Sequence, residues 1–311
     1  MNDRTRREFL AGTAVAGGAM ALNSVAQPAP SDPPLAMSIA RWKGAPVADE
    51  GLGKMATKLT EEVIAALGGM GRFVSKGNTV WVKPNMAWDR TPEQAANTNP
   101  DVVGTLVRLC FEAGAKTVRV GDNTCHKSTV SYPNSGIEAA AKAAGAEVVY
   151  LDKRRFRKMD LKGKVLQNWP VYPQMIESDV IINVPIVKHH SISTVTLCMK
   201  NLMGTAGGNR GTFHQDIGAS LSDISAFVKP QLNVLDAIRI LTAHGPQGGN
   251  MSDVKRMDTV AASTDIVALD AFGASLLGHV PDAIATVKAG YERGLGQMDY
   301  TKIPHREIEV A

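Results

Sequence analysis

Residues 179–185 read Asp-Val-Ile-Ile-Asn-Val-Pro. Apolar side chains at nearly every position of a segment of strand length are typical of a strand buried on both faces of a sheet. Pro185 ends the run, and Lys188 and His190 follow within five residues. A strand of this kind predicts a parallel sheet, because parallel sheets are covered by helices on both faces.

Helix and strand patterns alternate on both sides of this segment. Strand patterns cover residues 37–41, 79–83, 117–120, 147–151, 179–184, 233–238, 259–262 and 306–310. Helical patterns cover residues 54–67, 100–113, 136–144, 195–203, 217–227, 266–277 and 282–291. Asn99 and Gly114 have the residue types of an N-cap and a C-cap around one of these helices. The alternation predicts an α/β fold with a mostly parallel sheet and helices on both faces.

The amino terminus carries the pattern of an export signal. Residues 6–10 read Arg-Arg-Glu-Phe-Leu, which is the order of the twin-arginine motif. The uncharged stretch 9–22 is shorter than the roughly 20 apolar residues that a membrane-spanning helix needs. Small residues occupy the last positions of this segment, up to Ala26, and they predict cleavage of the signal near Ala26. We therefore expect the twin-arginine translocase as a partner and the periplasm as the location.

This interpretation divides the chain into three parts. Residues 1–26 are the predicted twin-arginine signal peptide, residues 27–36 are a proline-rich linker, and residues 37–311 are a single α/β domain. Apolar residues make up 44% of the chain, which is enough for a substantial core.

Charge and cysteine content argue against several classes of partner and cofactor. The net charge is +4, which is too mild to predict a nucleic-acid partner. No segment after the signal is apolar enough to predict a membrane span in the mature chain. Cys110, Cys125 and Cys198 lack the number and spacing of a four-ligand site, so we expect no cysteine-ligated iron–sulfur cluster from this chain alone.

Polar residues that follow predicted strands are candidates for ligand binding. In parallel α/β sheets, ligands bind outside the carboxyl ends of the strands. Lys83 and Asn85 follow one predicted strand, and Asp122 follows the next. We expect these three residues to bind a small-molecule ligand.

The densest candidate region is residues 183–216, where several histidines, cations and glycines lie close in sequence. Its polar candidates are Lys188, His190, Lys200, Asn201, Arg210 and His214. Imidazole carries protons near neutral pH and is a common metal ligand. Lysine and arginine side chains, with backbone amides of a glycine-rich turn, hold anions.

These residue types predict distinct roles within the region. His190, His214 and Lys200 are the candidate catalytic residues, and His190 and His214 are also candidate ligands of a transition metal. Lys188, Asn201 and Arg210 are candidate ligand-binding residues. The alternative is that the glycines form an irregular turn in which the histidines are capped or solvated.

Several ordered motifs in the chain resemble one family. They are Val-Lys-Pro-Asn at 82–85, Ser-Asp-Val-Ile-Ile-Asn-Val-Pro at 178–185, Lys-His-His at 188–190 and Lys-Asn-Leu-Met-Gly at 200–204. Together they resemble the domain of unknown function 362 family over about residues 37–275. Many members of that family are fused to ferredoxin-like modules, so the resemblance implies redox-associated work. This chain lacks the clustered cysteines of those modules.

The spacing of His190, Lys200 and His214 is also similar to that of the nickel-pincer site of nickel-dependent lactate racemase. In that family a histidine acts on the substrate, a lysine tethers the cofactor and a later histidine binds the metal. This chain departs from the pattern, since Lys200 follows Leu-Cys-Met rather than a Gly-Gly turn and the second spacing is shorter.

Two functions from different classes follow. The first is a periplasmic enzyme, either an oxidoreductase or a metal-dependent isomerase, that acts on a small anionic or carbonyl substrate. The second is a non-catalytic periplasmic binding or accessory protein whose pocket captures the same kind of ligand. A stoichiometric transition metal favours the first, and a bound anion without metal favours the second.

Replacement of Arg6 and Arg7 by lysine is expected to block export. The twin-arginine signal depends on the arginine pair, so the double variant should accumulate as an uncleaved precursor in the cytoplasm. Cell fractionation and the amino-terminal sequence of the mature protein measure this. Normal export of the double-lysine precursor would contradict the assignment of residues 1–26.

Overall fold

The computed structural model describes residues 34–311. The twin-arginine motif, the predicted cleavage site and most of the predicted linker lie outside this range. The described residues are organised around a ten-stranded sheet and a separate two-stranded hairpin. Within residues 34–311, no helix has both the length and the apolar character needed to cross a membrane.

The large sheet contains ten of the twelve strands that the structure describes. These are β1 (Met37–Trp42), β2 (Thr79–Pro84), β3 (Thr117–Val120), β4 (Glu147–Val148), β7 (Val180–Val184), β8 (Ile186–His190), β9 (Thr194–Thr196), β10 (Leu232–Leu241), β11 (Val254–Ser263) and β12 (His305–Val310). Their order is β12-β1-β11-β10-β7-β2-β3-β4, with β8 paired to β10 and β9 paired to β8. The hairpin consists of β5 (Arg157–Asp160) and β6 (Asn168–Val171).

Most of the strand pairs are parallel. Strand β11 pairs antiparallel with both of its neighbours, and β9 pairs antiparallel with β8. The other pairs in the large sheet are parallel. The carboxyl ends of β2, β3, β7 and β8 therefore lie along one edge, which is the edge where parallel sheets bind ligands.

Helices cover both faces of the sheet. They are α1 (Leu52–Ala66), α2 (Pro100–Glu112), α3 (Ser128–Asn134), α4 (Ile137–Ala143), α5 (Pro173–Ile176), α6 (Cys198–Asn201), α7 (Ile217–Val228), α8 (Ile266–Leu276) and α9 (Ala285–Glu292). Alternation along the strands divides the apolar core in two. In β1, for example, Ala40 packs with α1 and α2, whereas Met37 and Ile39 pack with α6, α7, α8 and α9.

The predicted fold class is confirmed. The sheet is mostly parallel, helices lie on both faces, and the long helices occur where their periodicity predicted them. The Asn99 side chain caps α2 by accepting hydrogen bonds from the backbone N–H groups of Asp101 and Val102. Gly114 ends the same helix with a φ of 98°, a backbone conformation that glycine adopts without strain.

The prediction of one helix over residues 195–203 is wrong. Residues 194–196 form strand β9, and the α-helix is limited to Cys198–Asn201. Val195 and Leu197 are buried in the core, and Thr196 between them lines the cavity described below. That alternation has the period of a strand, and pairing with β8 overrides the helical pattern of the sequence.

Strand β8 was not predicted. After Pro185 the chain stays beside β10, which pairs with both β7 and β8, while its other neighbour changes from β2 to β9. The backbone N–H of Asp236 in β10 donates to the carbonyl of Pro185 at 2.9 Å. Proline has no N–H to offer the ladder, so a proline between two strands is compatible with such a change of partner. The extension carries Lys188 and His190 on a strand rather than on a loop.

Replacement of Asp236 by asparagine is expected to destabilise the protein by about 1–3 kcal/mol. The two carboxylate oxygens of Asp236 accept from different backbone N–H groups, those of Asn99 at 2.7 Å and Ile238 at 2.9 Å. An amide nitrogen would face one of these donors in a fully buried position. Urea unfolding measures the change, with the exposed Asp282→Asn as the matched control. Equal stability of the two variants would contradict this account.

Candidate functional site

A cavity of about 480 Å³ lies at the carboxyl ends of β2, β3 and β8. Its wall combines the loops after these strands with the turn that follows α6. The lining residues are Asn85, Ala87, Trp88, Asp122, Asn123, Cys125, Lys188, His190, Ser191, Ile192, Thr196, Lys200, Asn201, Met203, Gly204, Gly208, Arg210, Gly211, His214 and Pro246.

The structure brings eight of the nine predicted site residues together around this cavity. They are Asn85, Asp122, Lys188, His190, Lys200, Asn201, Arg210 and His214. The ninth, Lys83, lies behind the wall and is fully buried. Glycines 204, 208 and 211 lie along one side of the cavity, as a close approach of backbone to a ligand would require.

Lys83 forms a buried ion pair with Asp122. The distance from Lys83 Nζ to Asp122 Oδ1 is 2.8 Å, and the two side chains are 0% and 3% exposed. The same ammonium donates to the carbonyl of Pro84 at 3.0 Å and to Asn201 Oδ1 at 3.1 Å. Burial lowers the pKa of Lys83, and Asp122 opposes that effect. Because three oxygens take up the three hydrogens of Lys83, we revise its role from ligand binding to support of the wall.

Asparagine side chains connect the strand ends beneath the cavity. Asn201 Oδ1 accepts from Asn85 Nδ2 at 3.1 Å, and Asn201 Nδ2 donates to Asn183 Oδ1 at 2.8 Å. Asn183 in turn donates to Asn233 Oδ1 at 2.9 Å. All of these side chains are buried. Asn233 Nδ2 has no hydrogen-bond partner among the described residues, but the amides of Asn85, Asn183 and Asn201 each have partners for both oxygen and nitrogen. Satisfied amides are held in one arrangement, so the network positions Asn85 and Asn201.

Lys188 is the second fully buried lysine of the site. Its Nζ donates to the carbonyl of Ala96 at 2.5 Å and to Asn85 Oδ1 at 3.2 Å, and it lies 5.7 Å from the ring centre of Trp88. No carboxylate among residues 34–311 forms an ion pair with it. Burial lowers the pKa of Lys188 to about 7, with the positive charge of Lys200 acting in the same direction. A bound anion would favour its protonated form.

His190 is held as a neutral ring with a defined tautomer. Its Nδ1 accepts hydrogen bonds from the backbone N–H groups of Ile192 at 3.1 Å and Ser193 at 3.2 Å. A ring nitrogen that accepts carries no hydrogen, so the hydrogen of the neutral ring is on Nε2. Burial, together with the charge of Lys200, lowers the pKa of His190 to about 3. At neutral pH, His190 therefore offers Nε2–H as a hydrogen-bond donor.

His214 has the opposite tautomer. Its Nδ1 lies 3.2 Å from the carbonyl oxygen of Gly211, which can only accept, so Nδ1 carries the hydrogen. The unprotonated Nε2 lies 3.2 Å from Lys200 Nζ and accepts from it. Burial lowers the pKa of His214, and the neighbouring Lys200 adds to the effect. His214 is thus a base that faces an amine.

The two imidazoles are stacked in the cavity wall, with ring centres 5.6 Å apart and planes inclined by 24°. One ring presents a donor nitrogen and the other presents an acceptor nitrogen. Lys200 lies beside them, and burial lowers the pKa of its amine to about 8. The site therefore has a neutral hydrogen-bond donor, a neutral base and an amine that is partly unprotonated near physiological pH.

Arg210 contributes charge but has most of its donors engaged. Its Nη1 donates to the carbonyl of Asn123 at 2.7 Å, and its Nη2 donates to the carbonyl of Thr124 at 3.0 Å. These bonds fasten the glycine-rich turn to the loop that follows β3. The guanidinium keeps its positive charge at the cavity while it holds that wall.

Sequence reasoning missed two residues with roles in the site. Cys125 lines the cavity, two residues after the predicted Gly-Asp-Asn segment. Asp270 caps the helix that carries Lys200, since its carboxylate accepts from the backbone N–H groups of Cys198 at 2.6 Å and Met199 at 3.1 Å. The one charged residue in the mostly apolar helix α8 was the available signal for Asp270.

The donor set of the cavity fits an anion better than a metal ion. Among residues 34–311, no three His, Cys, Asp or Glu side chains lie close enough to share a metal ion. His190 Nδ1 is already taken by two backbone N–H groups, and Asp122 is paired with Lys83. The assignment of His190 and His214 as metal ligands stays a prediction.

Replacement of Gly204 by alanine is expected to cost about 3–5 kcal/mol, the range for breaking a buried ion pair. A Cβ at Gly204 would overlap Asp122 Oδ1 and come within 2.6 Å of Lys83 Nζ. Gly71→Ala is the matched control, because a Cβ there meets nothing within 4 Å. Chemical unfolding of both variants measures the difference. Wild-type stability of Gly204→Ala would contradict the close approach of this turn to the ion pair.

Comparison with known proteins gives one curated relative and two solved structures of interest. A thylakoid-associated protein of Synechocystis sp. is 29% identical over 242 residues, which cover 75% of this chain and 73% of that protein. The lactate racemase apoprotein of Thermoanaerobacterium thermosaccharolyticum is 10% identical, with a TM-score of 0.49 over 76% of this chain. A protein from Thermotoga maritima is 14% identical, with a TM-score of 0.31 over 66% of this chain. The matches cover 56% and 54% of those two solved chains.

A family model described as a domain of unknown function, DUF362, matches residues 80–275. The match spans the strands and loops that build the cavity, from β2 to α8. It also covers more than half of the chain, and the protein therefore belongs to the domain of unknown function 362 family.

Proposed function

We propose that the cavity binds a small organic anion bearing a carbonyl or hydroxyl group, and that the protein is an enzyme that transfers protons on this ligand. The observation that carries the proposal is the pair of stacked imidazoles with opposite tautomers, next to two lysines, Lys188 and Lys200, that form no ion pair with a carboxylate of the described residues. Neither imidazole depends on a bound ion for its tautomer, since backbone groups define both.

The charge of the cavity supports an anionic ligand. Lys188, Lys200 and Arg210 are cationic when protonated, and the lining carboxylate Asp122 is neutralised by Lys83. Two lysines and an arginine at close range repel one another unless a proton leaves or an anion arrives. A carboxylate in the cavity would supply the missing negative charge.

The acid and base groups support chemistry next to a carbonyl. His190 Nε2–H would donate to a carbonyl or hydroxyl oxygen and stabilise negative charge that develops there. His214 Nε2 would accept a proton, either directly or through the amine of Lys200 at 3.2 Å. Backbone contacts hold both imidazoles in these states, so neither ring must first gain or lose a proton before it takes part in proton transfer.

The proposal also covers the location of the protein and the class of chemistry that competes with proton transfer. We propose that the enzyme works in the periplasm after export by the twin-arginine translocase, on the basis of the motif at residues 6–10. Redox-associated or metal-dependent chemistry is the competing class. It is distinguished by the metal content of protein purified from its native compartment.

The binding step is expected to depend on pH. We expect oxalate to bind to the wild-type protein, and its affinity to fall as pH rises above about 7–8. The pKa values of Lys188 and Lys200 in the free cavity are about 7 and about 8, so above them the anion must bring in protons. The loss is up to about tenfold per pH unit for each proton taken up. Isothermal titration calorimetry in buffers of different ionisation enthalpy measures both affinity and proton uptake.

The catalytic step is tested by hydrogen exchange. In D₂O, the protein is expected to exchange the hydrogens next to the carbonyl of pyruvate for deuterium. Proton NMR follows the loss of their signal. Lys200→Met should abolish exchange, whereas Lys116→Met, an exposed lysine outside the cavity, should leave it unchanged. Anion binding without exchange on pyruvate or related 2-oxo and 2-hydroxy acids would favour the non-catalytic binding protein. A stoichiometric metal without anion binding would favour the metal-dependent class.

A further inference from the structure

We infer that Lys200 is a nucleophile that captures carbonyl ligands of this cavity as an imine. The inference rests on the proposed function, because it takes the ligand to be a small anion with a carbonyl group. It goes further by assigning a covalent step to one of the three lysines of the site.

The three lysines differ in the number of oxygens around the amine. Lys83 Nζ has three oxygen acceptors, one of them a carboxylate. Lys188 Nζ has two, a carbonyl and an amide oxygen. Among residues 34–311, no oxygen lies within hydrogen-bond distance of Lys200 Nζ, and its polar neighbours are Met203 Sδ at 3.0 Å and His214 Nε2 at 3.2 Å.

This difference selects Lys200 as the reactive amine. Oxygen acceptors stabilise an ammonium, and a carboxylate does so most strongly. A lysine that has only a thioether and an imidazole nitrogen beside it gains little from its charge. Burial and the charge of Arg210 also favour the neutral amine, whose lone pair is then free to attack.

The two imidazoles supply the proton transfers that imine formation needs. Lys200 Nζ attacks the carbonyl carbon, an N–C bond forms, and His214 Nε2 takes a proton from nitrogen and returns it to oxygen. His190 Nε2–H donates a hydrogen bond to that oxygen while charge develops on it. The second proton of the amine follows the same route, the C–O bond breaks, and oxygen leaves as water. Both protons of the neutral amine thus end on the water, and no oxidant or metal takes part.

The remaining cations would hold the ligand in position for this step. Lys188 and Arg210 line the same cavity as Lys200 and carry no carboxylate partner among the described residues. A carboxylate next to the carbonyl would be attracted to them, while the carbonyl carbon faces the amine. The chemical class of ligand is therefore a 2-oxo acid or an aldehyde acid.

Reductive trapping tests the assignment on the mature protein. Glyoxylate and sodium cyanoborohydride are added, and intact-mass spectrometry followed by peptide mapping finds the labelled residue. We expect one label per chain, on Lys200. With glyoxylate kept at saturating concentration at every pH, the initial rate should rise with pH to half its maximum near pH 8, whereas exposed lysines respond only near their usual pKa of about 10.4. Preferential labelling of Lys188 would overturn the inference, and so would labelling of exposed lysines at the same rate as Lys200.

Variants separate a chemical role from a structural one. Lys200→Arg should lose the label, and Lys116→Arg should keep it. His214→Gln should slow trapping at pH 7 by about a hundredfold or more, in the range of a lost general base, while the label still falls on Lys200. If the rate of His214→Gln equals that of wild type, His214 is not the proton carrier and this part of the inference is wrong.

Failure of the inference and failure of the proposed function have different signatures. Oxalate has no aldehyde or ketone to trap, so it reports on anion binding alone. Oxalate binding and pyruvate exchange without a label on Lys200 would overturn the imine and leave the proposed function in place. Absence of oxalate binding as well as of labelling would remove both.

Discussion

Two lysines are buried at the carboxyl ends of the parallel strands, and one buried carboxylate pairs with only one of them. This imbalance of charge determines the properties of the site. Asp122 is committed to Lys83 at 2.8 Å. Lys188, equally buried, has only neutral oxygens as partners. A buried ammonium without a counterion is costly, so it loses its proton or acquires an anion. The anion proposed above would supply the missing counterion.

The ion pair also shapes the wall around the cavity. Gly204 packs so closely against Asp122 and Lys83 that no side chain fits there. Its carbonyl accepts from the backbone N–H of Asn123 at 3.0 Å, which joins the turn after α6 to the loop after β3. Arg210 fastens the same two segments through the carbonyls of Asn123 and Thr124. The polar side chains beneath the cavity thus hold its wall in place and also carry charge.

Backbone groups decide what the titratable side chains do. The amides after β8 make His190 a donor, and the carbonyl of Gly211 makes His214 an acceptor. Asp270 holds the short helix α6 in place, and that helix presents Lys200 to His214. The two histidines differ in tautomer because of the backbone contacts around them, and residue type alone does not distinguish them.

The amino-acid sequence alone determined the fold class and the region of the site. Apolar runs and capping residues predicted the parallel sheet, its covering helices and the Asn99 cap, because these features depend on local pattern. Polar residues after strands predicted the edge at which Asn85, Asp122 and Lys188 lie. The tertiary structure decided the rest. Contacts distant in sequence give Lys83 its partners Asp122 and Asn201, whereas no oxygen among residues 34–311 lies within hydrogen-bond distance of Lys200 Nζ. The tautomers of His190 and His214 are set by backbone groups two or three residues away, and β9 pairs with β8 as a short hairpin. These contacts depend on the exact course of the folded backbone, which the pattern of residue types does not specify.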